Sequence, residues 1–536
     1  MKRDTVLVLS GVSLLCVALL SGKYIYQEMQ YRAMIAEAKN QELKLDDYKN
    51  NPILHSENDI TIELINKIVN NELHTLTIDY NFTRCMNEGE SANEYKNERM
   101  LKNLFVRIDD EYYSKWHEYG YDIIIPVRFT SNVTTLACAF KDNQYLNYIN
   151  IQDTSNINDM TSMFENARKF TGNPNYYNYD YRINEIKYNL SAISMRDWNI
   201  SKVTSTFRMF KDAVSFNADI SAWDTSNITD MSEMFSGAKH FAGEIGVWDT
   251  KNVQSMAMMF MATESFNSDI GNWNTKNVTD MNKMFYMSWF NRSINNWDTQ
   301  NVVDMSDMFY GSRFNGSVYS WNTKNVKYMK EMFKNSHFNQ PIDNWDTQNV
   351  VDMSYMFAMS KFNQPIDKWN TSKVKSFTRM FEDAVFNQPI GSWDTSSAED
   401  MSYMFFENKV FNQPLNNWNT SSVKNFSYMF AGTTFNQPIG SWDTSSAEDM
   451  SFMFFENKTF NQPLNNWNTS NVTSMTAMFM RCSSFDQDLT SWNFSNVKDS
   501  TNFLYDNYSK YKSKIKERID NANKTKKNNA KSKFHK

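Results

Sequence analysis

The string FNQPIDNWDTQNVVDMSYMF, residues 338–357, is one copy of a pattern that returns along most of the chain. Phe338, Ile342 and Trp345 place large apolar groups in its first half. Pro341 keeps that half out of the helical region, because the residue before a proline is pushed towards extended geometry. Pro341–Trp345 therefore reads as a short strand. Asp346 and Thr347 supply a turn, since their side chains bond to nearby backbone. Val350, Met353, Met356 and Phe357 stand at i, i+3, i+6 and i+7, the spacing of one face of a short helix. Asp352 sits where that helix wants an N-cap. A single copy cannot hide its own apolar groups. Burying each one stabilises by ~1.5–3 kcal/mol, so neighbouring copies are expected to stack.

Thirteen tryptophans mark the copies: Trp198, Trp223, Trp248, Trp273, Trp297, Trp321, Trp345, Trp369, Trp393, Trp418, Trp442, Trp467 and Trp492. Each step is 24 or 25 residues. Upstream, Gln152 takes the Trp place before DTSNINDMTSMF, and Val133, Leu136, Ala139 and Phe140 keep the second half of the pattern. An insertion falls near Gly172–Ser191. Residues 128–504 thus read as a repeat solenoid of about fifteen units, each a short strand plus turn plus short helix, with the tryptophans as structural core. Phe386–Ser421 and Phe435–Ser470 differ only at Tyr403/Phe452 and Val410/Thr459, so a two-unit block was duplicated. A stack whose units touch only their neighbours tolerates such a change; a closed core does not.

The flanks differ. Lys2 and Arg3 precede an uncharged apolar run, Thr5 to Gly22, closed by Lys23. The run is just long enough to span a bilayer and longer than a usual signal core. Residues 1–23 are therefore expected to be a membrane-anchor helix, with a cleaved signal peptide as the alternative. Residues 24–55 read as a helical stalk. Residues 56–127 carry no repeat and read as an N-terminal cap, with a helix at Ile60–Ile68 and a strand at Tyr121–Phe129. Residues 505–536 read as a C-terminal cap followed by a basic disordered tail. From Lys510 to Lys536 there are eleven Lys/Arg against Glu517 and Asp520. Cys138 falls on the apolar pattern and reads as a small packed hydrophobe, a bridge to Cys85 being the alternative.

The net charge of -6 gives no reason to expect nucleic acid on the repeat body. The six histidines have no recurring Cys, Ser or Asp partner, and there is no Gly-rich phosphate loop. The chain is read as no enzyme, without a cofactor. Asp230, Asp280, Asp304, Asp352, Asp400 and Asp449 recur in one slot and suggest a cation ladder. Helix capping is their simpler role, and no metal is expected. Binding is looked for in the variable slots. Tyr355, Tyr403, Tyr428 and Phe452 stand between Ser and Met of MSxMF; Tyr310, Phe406 and Phe455 follow the MF pair. Exposed in a row they would make a binding face; packed along the stack they would be scaffold.

The motif FNQPIxxWxTSxVxxMSxMF resembles the 25-residue repeat of BspA-like leucine-rich-repeat bacterial surface proteins, in the version found in mycoplasmas and Listeria-type lipoproteins. The resemblance covers residues 128–504. It implies a leucine-rich-repeat-like solenoid on the extracellular face of the cell membrane, or a secreted one if the leader is cleaved. The implied function is adhesion or protein binding, with a host or neighbouring-cell surface protein or glycan as partner and the membrane held by the N-terminal segment. A structural, antigenically variable coat without a dedicated ligand is the alternative. Cys16 follows Leu15, where lipid attachment needs a small residue, so the lipoprotein members' anchor is not carried over.

Overall fold

The computed structural model describes residues 53–54, 64, 67, 73, 75–79, 121–173, 194–504 and 510–533. The anchor at 1–23, nearly all of the stalk, most of the cap and residues 174–193, which hold most of the insertion expected near Gly172–Ser191, lie outside them. The chain divides into two compact units, Met1–Val253 with Ala262–Ser268, and Gln254–Met261 with Asp269–Lys536.

In the second unit, residues 338–361 show how one coil is made. Trp345 N–H closes a turn on Ile342 O (3.2 Å), and Val350 N–H closes another on Thr347 O (3.0 Å). Asp346 Oδ1 accepts from Gln348 N–H at 3.1 Å and fixes the second corner. The third side is a ribbon of overlapping turns: Met356 N–H to Met353 O, Ala358 N–H to Tyr355 O and Ser360 N–H to Phe357 O, at 3.0–3.2 Å. The N–H groups of Met353, Tyr355, Phe357 and Met359 instead donate to the next coil, on Ser376, Thr378, Met380 and Glu382.

This overturns the strand-plus-helix reading of the coil. Half of the ribbon's donors close four-residue turns on the carbonyl three residues back and half cross to the neighbour, leaving none for i→i−4 bonds. Tyr355 and Met359 adopt positive φ (59° and 57°), which ends any right-handed helix. Pro341–Trp345 is a turn corner rather than a strand. Parallel pairing shrinks to one isolated bridge per coil, at the slot of Asp352, which pairs with Tyr328 before it and Ser376 after it. Asp352 caps no helix; its Oδ1 accepts from Ser354 N–H at 2.8 Å.

Inside, each repeat slot becomes a column. Val350, Met353, Met356, Phe357, Phe338 and Ile342 are fully buried. From Trp273 to Trp492, successive indoles lie 6.0–6.5 Å apart and within 11° of parallel. Each indole N–H from Trp297 onward donates to the carbonyl three residues before the preceding Trp, as Trp369 does to Ile342 O at 3.0 Å. A buried donor is thereby satisfied without breaking the column. Thr347 Oγ1 donates to Asn370 O at 2.9 Å, and the other WDT/WNT threonines of this unit repeat the bond. Asn339 Oδ1 accepts from Asn363 N–H at 2.9 Å within a ladder running from Asn291 to Asp486.

The first unit opens with a parallel sheet in the order β1-β2-β3-β4: β1 Ile53–Leu54, β2 Leu76–Ile78, β3 Tyr121–Phe129 and β4 Leu146–Ile151. Ile53–Leu54, at the end of the stretch read as helical stalk, is thus strand. Of Ile60–Ile68 only Leu64 and Lys67 are described, both helical. β3 covers the expected strand, and β4 is buried throughout. Asp159 bridges Ser205 directly, so the insertion near Gly172–Ser191 does not interrupt the ladder. Trp198, Trp223 and Trp248 stack at 6.2–6.3 Å. Trp198 Nε1 is buried without a partner, where the preceding coil carries β4 in place of the corner turn.

The second unit ends in α1, Lys512–Lys533. The tail expected to be disordered is therefore helical to Lys533. Ile515 is fully buried, and Arg518 Nη2 donates to Trp492 O at 3.3 Å, tying α1 to the last coil. Among the described residues no helix is long and apolar enough to cross a membrane.

Candidate binding surface

The ribbon of turns sends two slots outward, the middle residue of MSxMF and the residue after MF. The positive φ of the first explains its direction, since the side chain is swung away from the core-facing Met and Phe on either side. All seven expected residues, Tyr310, Tyr355, Tyr403, Phe406, Tyr428, Phe452 and Phe455, are half-buried in the second unit. Tyr403, Tyr428 and Phe452 form a continuous stack with centroids 4.4 and 4.5 Å apart. Phe406 meets Tyr403 edge-on at 5.5 Å, and Phe455 meets Phe452 likewise at 5.8 Å.

Tyr310 and Tyr355 join this column only through residues the sequence reading left out. Lys334 Nζ lies 5.4 Å from the Tyr310 ring and 4.2 Å from Tyr355. The Arg379 guanidinium lies 5.7 Å from Tyr355 and 3.8 Å from Tyr403. Tyr286 extends the column, stacked 4.5 Å from Tyr310. All three occupy the same two slots of the motif, Tyr286 and Lys334 after MF and Arg379 between the Ser and Met positions.

The column is an alternation of rings and cations whose faces are spent on one another. Burial, then the neighbouring Tyr310, pushes the Tyr286 phenol up; burial and Tyr403 do the same to Tyr428. Both stay neutral donors at physiological pH. Arg379 is held by Glu382 at 2.6 Å and Lys334 by Glu331 at 2.9 Å, so the cations are fixed in place. Burial raises Glu382 despite Arg379 beside it.

In the first unit the same slots hold charge. Arg208 Nε and Nη2 both donate to Glu233 Oε1 at 2.9 Å, and Lys211 Nζ reaches Oε2 at 2.6 Å. Burial pushes the Glu233 carboxyl up, but hydrogen bonds from Lys211 and Arg208 reverse this and leave it below the ordinary value. Lys141 pairs with Glu165 at 3.0 Å, while Glu165 Oε2 is buried without a partner. Cys138 occupies the outward slot here (φ 56°), half-buried and disulfide-bonded, so it is not the packed hydrophobe of the apolar pattern. Its partner lies outside the described residues.

The thirteen column tryptophans are 1–4% exposed. The recurrent carboxylates share the bridge slot, but Tyr328, Ser376 and Asn425 separate most of them, leaving Asp280 and Asp304 on adjacent coils. Asp280, Asp304, Asp352, Asp400, Asp449 and, in the first unit, Asp230 each spend Oδ1 on the backbone N–H two residues on. Burial raises Asp280. Among the described residues no three His, Cys, Asp or Glu converge on a common point.

The family described as "Mycoplasma protein of unknown function, DUF285" matches the chain over six overlapping stretches, residues 125–192, 182–289, 265–361, 286–385, 334–434 and 417–518. No curated protein and no solved structure matches it.

Proposed function

The chain belongs to this mycoplasma repeat family, and from that premise we propose that it is a cell-surface protein that binds a macromolecular partner through the outward columns of its stacked coils. The observation that carries the reading is the column from Tyr286 to Phe452, in which Tyr355, Arg379, Tyr403, Tyr428 and Phe452 stand on left-handed backbone that costs ~1–2 kcal/mol per residue. Ring stacking returns ~0.5–1.5 kcal/mol, so scaffold packing offsets the cost only partly. A binding role gives a reason to keep Tyr and Arg there rather than Gly or Asn. No reaction is assigned to the chain. The N-terminal run serves as its membrane anchor, with the repeats on the extracellular face, and the finer kinship is with BspA-like leucine-rich-repeat adhesins.

The duplication of Phe386–Ser421 as Phe435–Ser470 favours a second reading, a coat whose repeat number varies for antigenic change. Titration of the full chain over cultured animal cells separates the two. Saturable binding that weakens at least tenfold in Y403A/Y428A supports the adhesive reading. Absent binding at micromolar concentration, or binding indifferent to that pair, leaves the coat. Protease shaving of intact mycoplasma cells tests the location: release of repeat fragments is expected, and full protection contradicts it.

A further inference from the structure

A second edge of the coils, in the second unit, breaks the repeat's own rules. The residue before each FN pair is exposed and forms a column of its own: Trp289, Arg313, His337, Lys361 and Val385 in successive coils. Backbone bonds place them one coil apart, with Arg313 N–H on Ser288 O, His337 N–H on Ser312 O and Lys361 N–H on Ser336 O. The neighbouring slot, two residues after MF, holds Met287 and Met359. Trp289 is 45% exposed, Met287 48%, Met359 46%, Val385 43% and Val410, in the same slot of the next coil, 45%, so five of the large apolar side chains left open to solvent gather on this one edge. Elsewhere in this second slot stand Gly311, Asn335, Asp383, Glu407 and Gly432. Burial in a core does not require Trp or Met here.

The cations are equally out of pattern. Arg379 and Lys334 on the ribbon are each paired to a carboxylate, whereas Arg313, His337 and Lys361 form no ion pair among the described residues. Arg313 lies flat on Trp289, its guanidinium 3.7 Å from the ring centroid. Stacking fixes the plane of the guanidinium and leaves its N–H edge for a planar, two-oxygen acceptor. Arg, Trp and Met together are the residues that dominate protein interfaces.

We infer that the Trp289–Lys361 edge is a docking strip for a segment of a partner protein that mixes carboxylate and apolar side chains. Carboxylates answer the uncompensated cations Arg313 and Lys361, and apolar side chains cover Met287, Trp289, Met359 and Val385. A sulfated or phosphorylated polymer matches the charge but has no apolar groups for the second task. This strip is separate from the Tyr286–Phe452 column, and its assignment stands or falls independently of that column.

Hydroxyl-radical footprinting of the full chain, read residue by residue by mass spectrometry, tests it, because Met and Trp are themselves the reporters. The probe is a random Glu–Tyr copolymer; heparin serves as the charge-only polymer. The expected result is at least threefold protection of Met287, Trp289 and Met359 by the copolymer, lost in R313E/K361E, with Tyr319 and Tyr328 unchanged. Both substituted residues are exposed, and an unaltered footprint of the free variant verifies its fold. The inference is overturned by no protection on this edge, by protection that persists in R313E/K361E, or by equal protection with heparin. Protection confined to Tyr355, Tyr403 and Tyr428 also overturns it, and would assign the copolymer to the aromatic column instead.

Discussion

Two residues of each complete coil carry left-handed backbone, and most of them are not glycine. Met359, at φ 57° and exposed, stands in the slot that Gly237, Gly311 and Gly432 fill elsewhere. Met359→Gly removes the Cβ conflict and is expected to raise stability by ~0.5–1 kcal/mol after the entropy gained by the unfolded chain. In a helix the same change costs about 1 kcal/mol, so the sign of the shift in denaturation midpoint decides between turn ribbon and helix. Thr347→Val removes the hydroxyl bond to Asn370 O and should lower stability by ~1–2 kcal/mol, read in the same titration. Glu233 gives a pH signature. Its carboxyl is held below the ordinary value in the folded state, so its contribution is present above the unfolded value near 4.5 and is lost as pH falls through the lower, folded one. Glu233→Gln should therefore cost ~1–3 kcal/mol at pH 7 and close to nothing in strong acid. An equal cost at both pH values contradicts the pairing with Arg208 and Lys211.

At the scale of the coil, the core was plain from the Trp, Phe and Met periods, because any stacked unit that repeats every 24 or 25 residues lines up its apolar slots. Its secondary structure was not. Val350, Met353, Met356 and Phe357 fit one face of a helix, yet the same spacing arises when consecutive turns point alternate groups inward. The signal that discriminates was present: Gly237, Gly311 and Gly432, with Asn166 and Asn335, share one slot, and Gly and Asn are the residues that enter the left-handed region most easily. Of the surface, the ring-bearing slots were readable from the motif. The cations that join them, Lys334 and Arg379, stand in the same motif slots, but their place between the rings of neighbouring coils is visible only once the coils are stacked. Trp369→Phe, which loses both indole area and the bond to Ile342 O, should cost ~2–4 kcal/mol and raise amide exchange first in its own and adjacent coils.

At the scale of the whole molecule, the coils must cover one another's indole, phenyl and thioether columns. Removal of the 49 residues 387–435, one duplicated block, keeps every column in register and should leave a folded protein with native near-ultraviolet dichroism. Removal of twelve residues from the same place shifts the columns and should abolish that signal. The most direct measurement is acrylamide quenching of tryptophan emission from the native full chain. A small accessible fraction to which Trp289 contributes is expected, with the thirteen column tryptophans resisting quencher until the chain unfolds. Quenching of most of the emission under native conditions would contradict it.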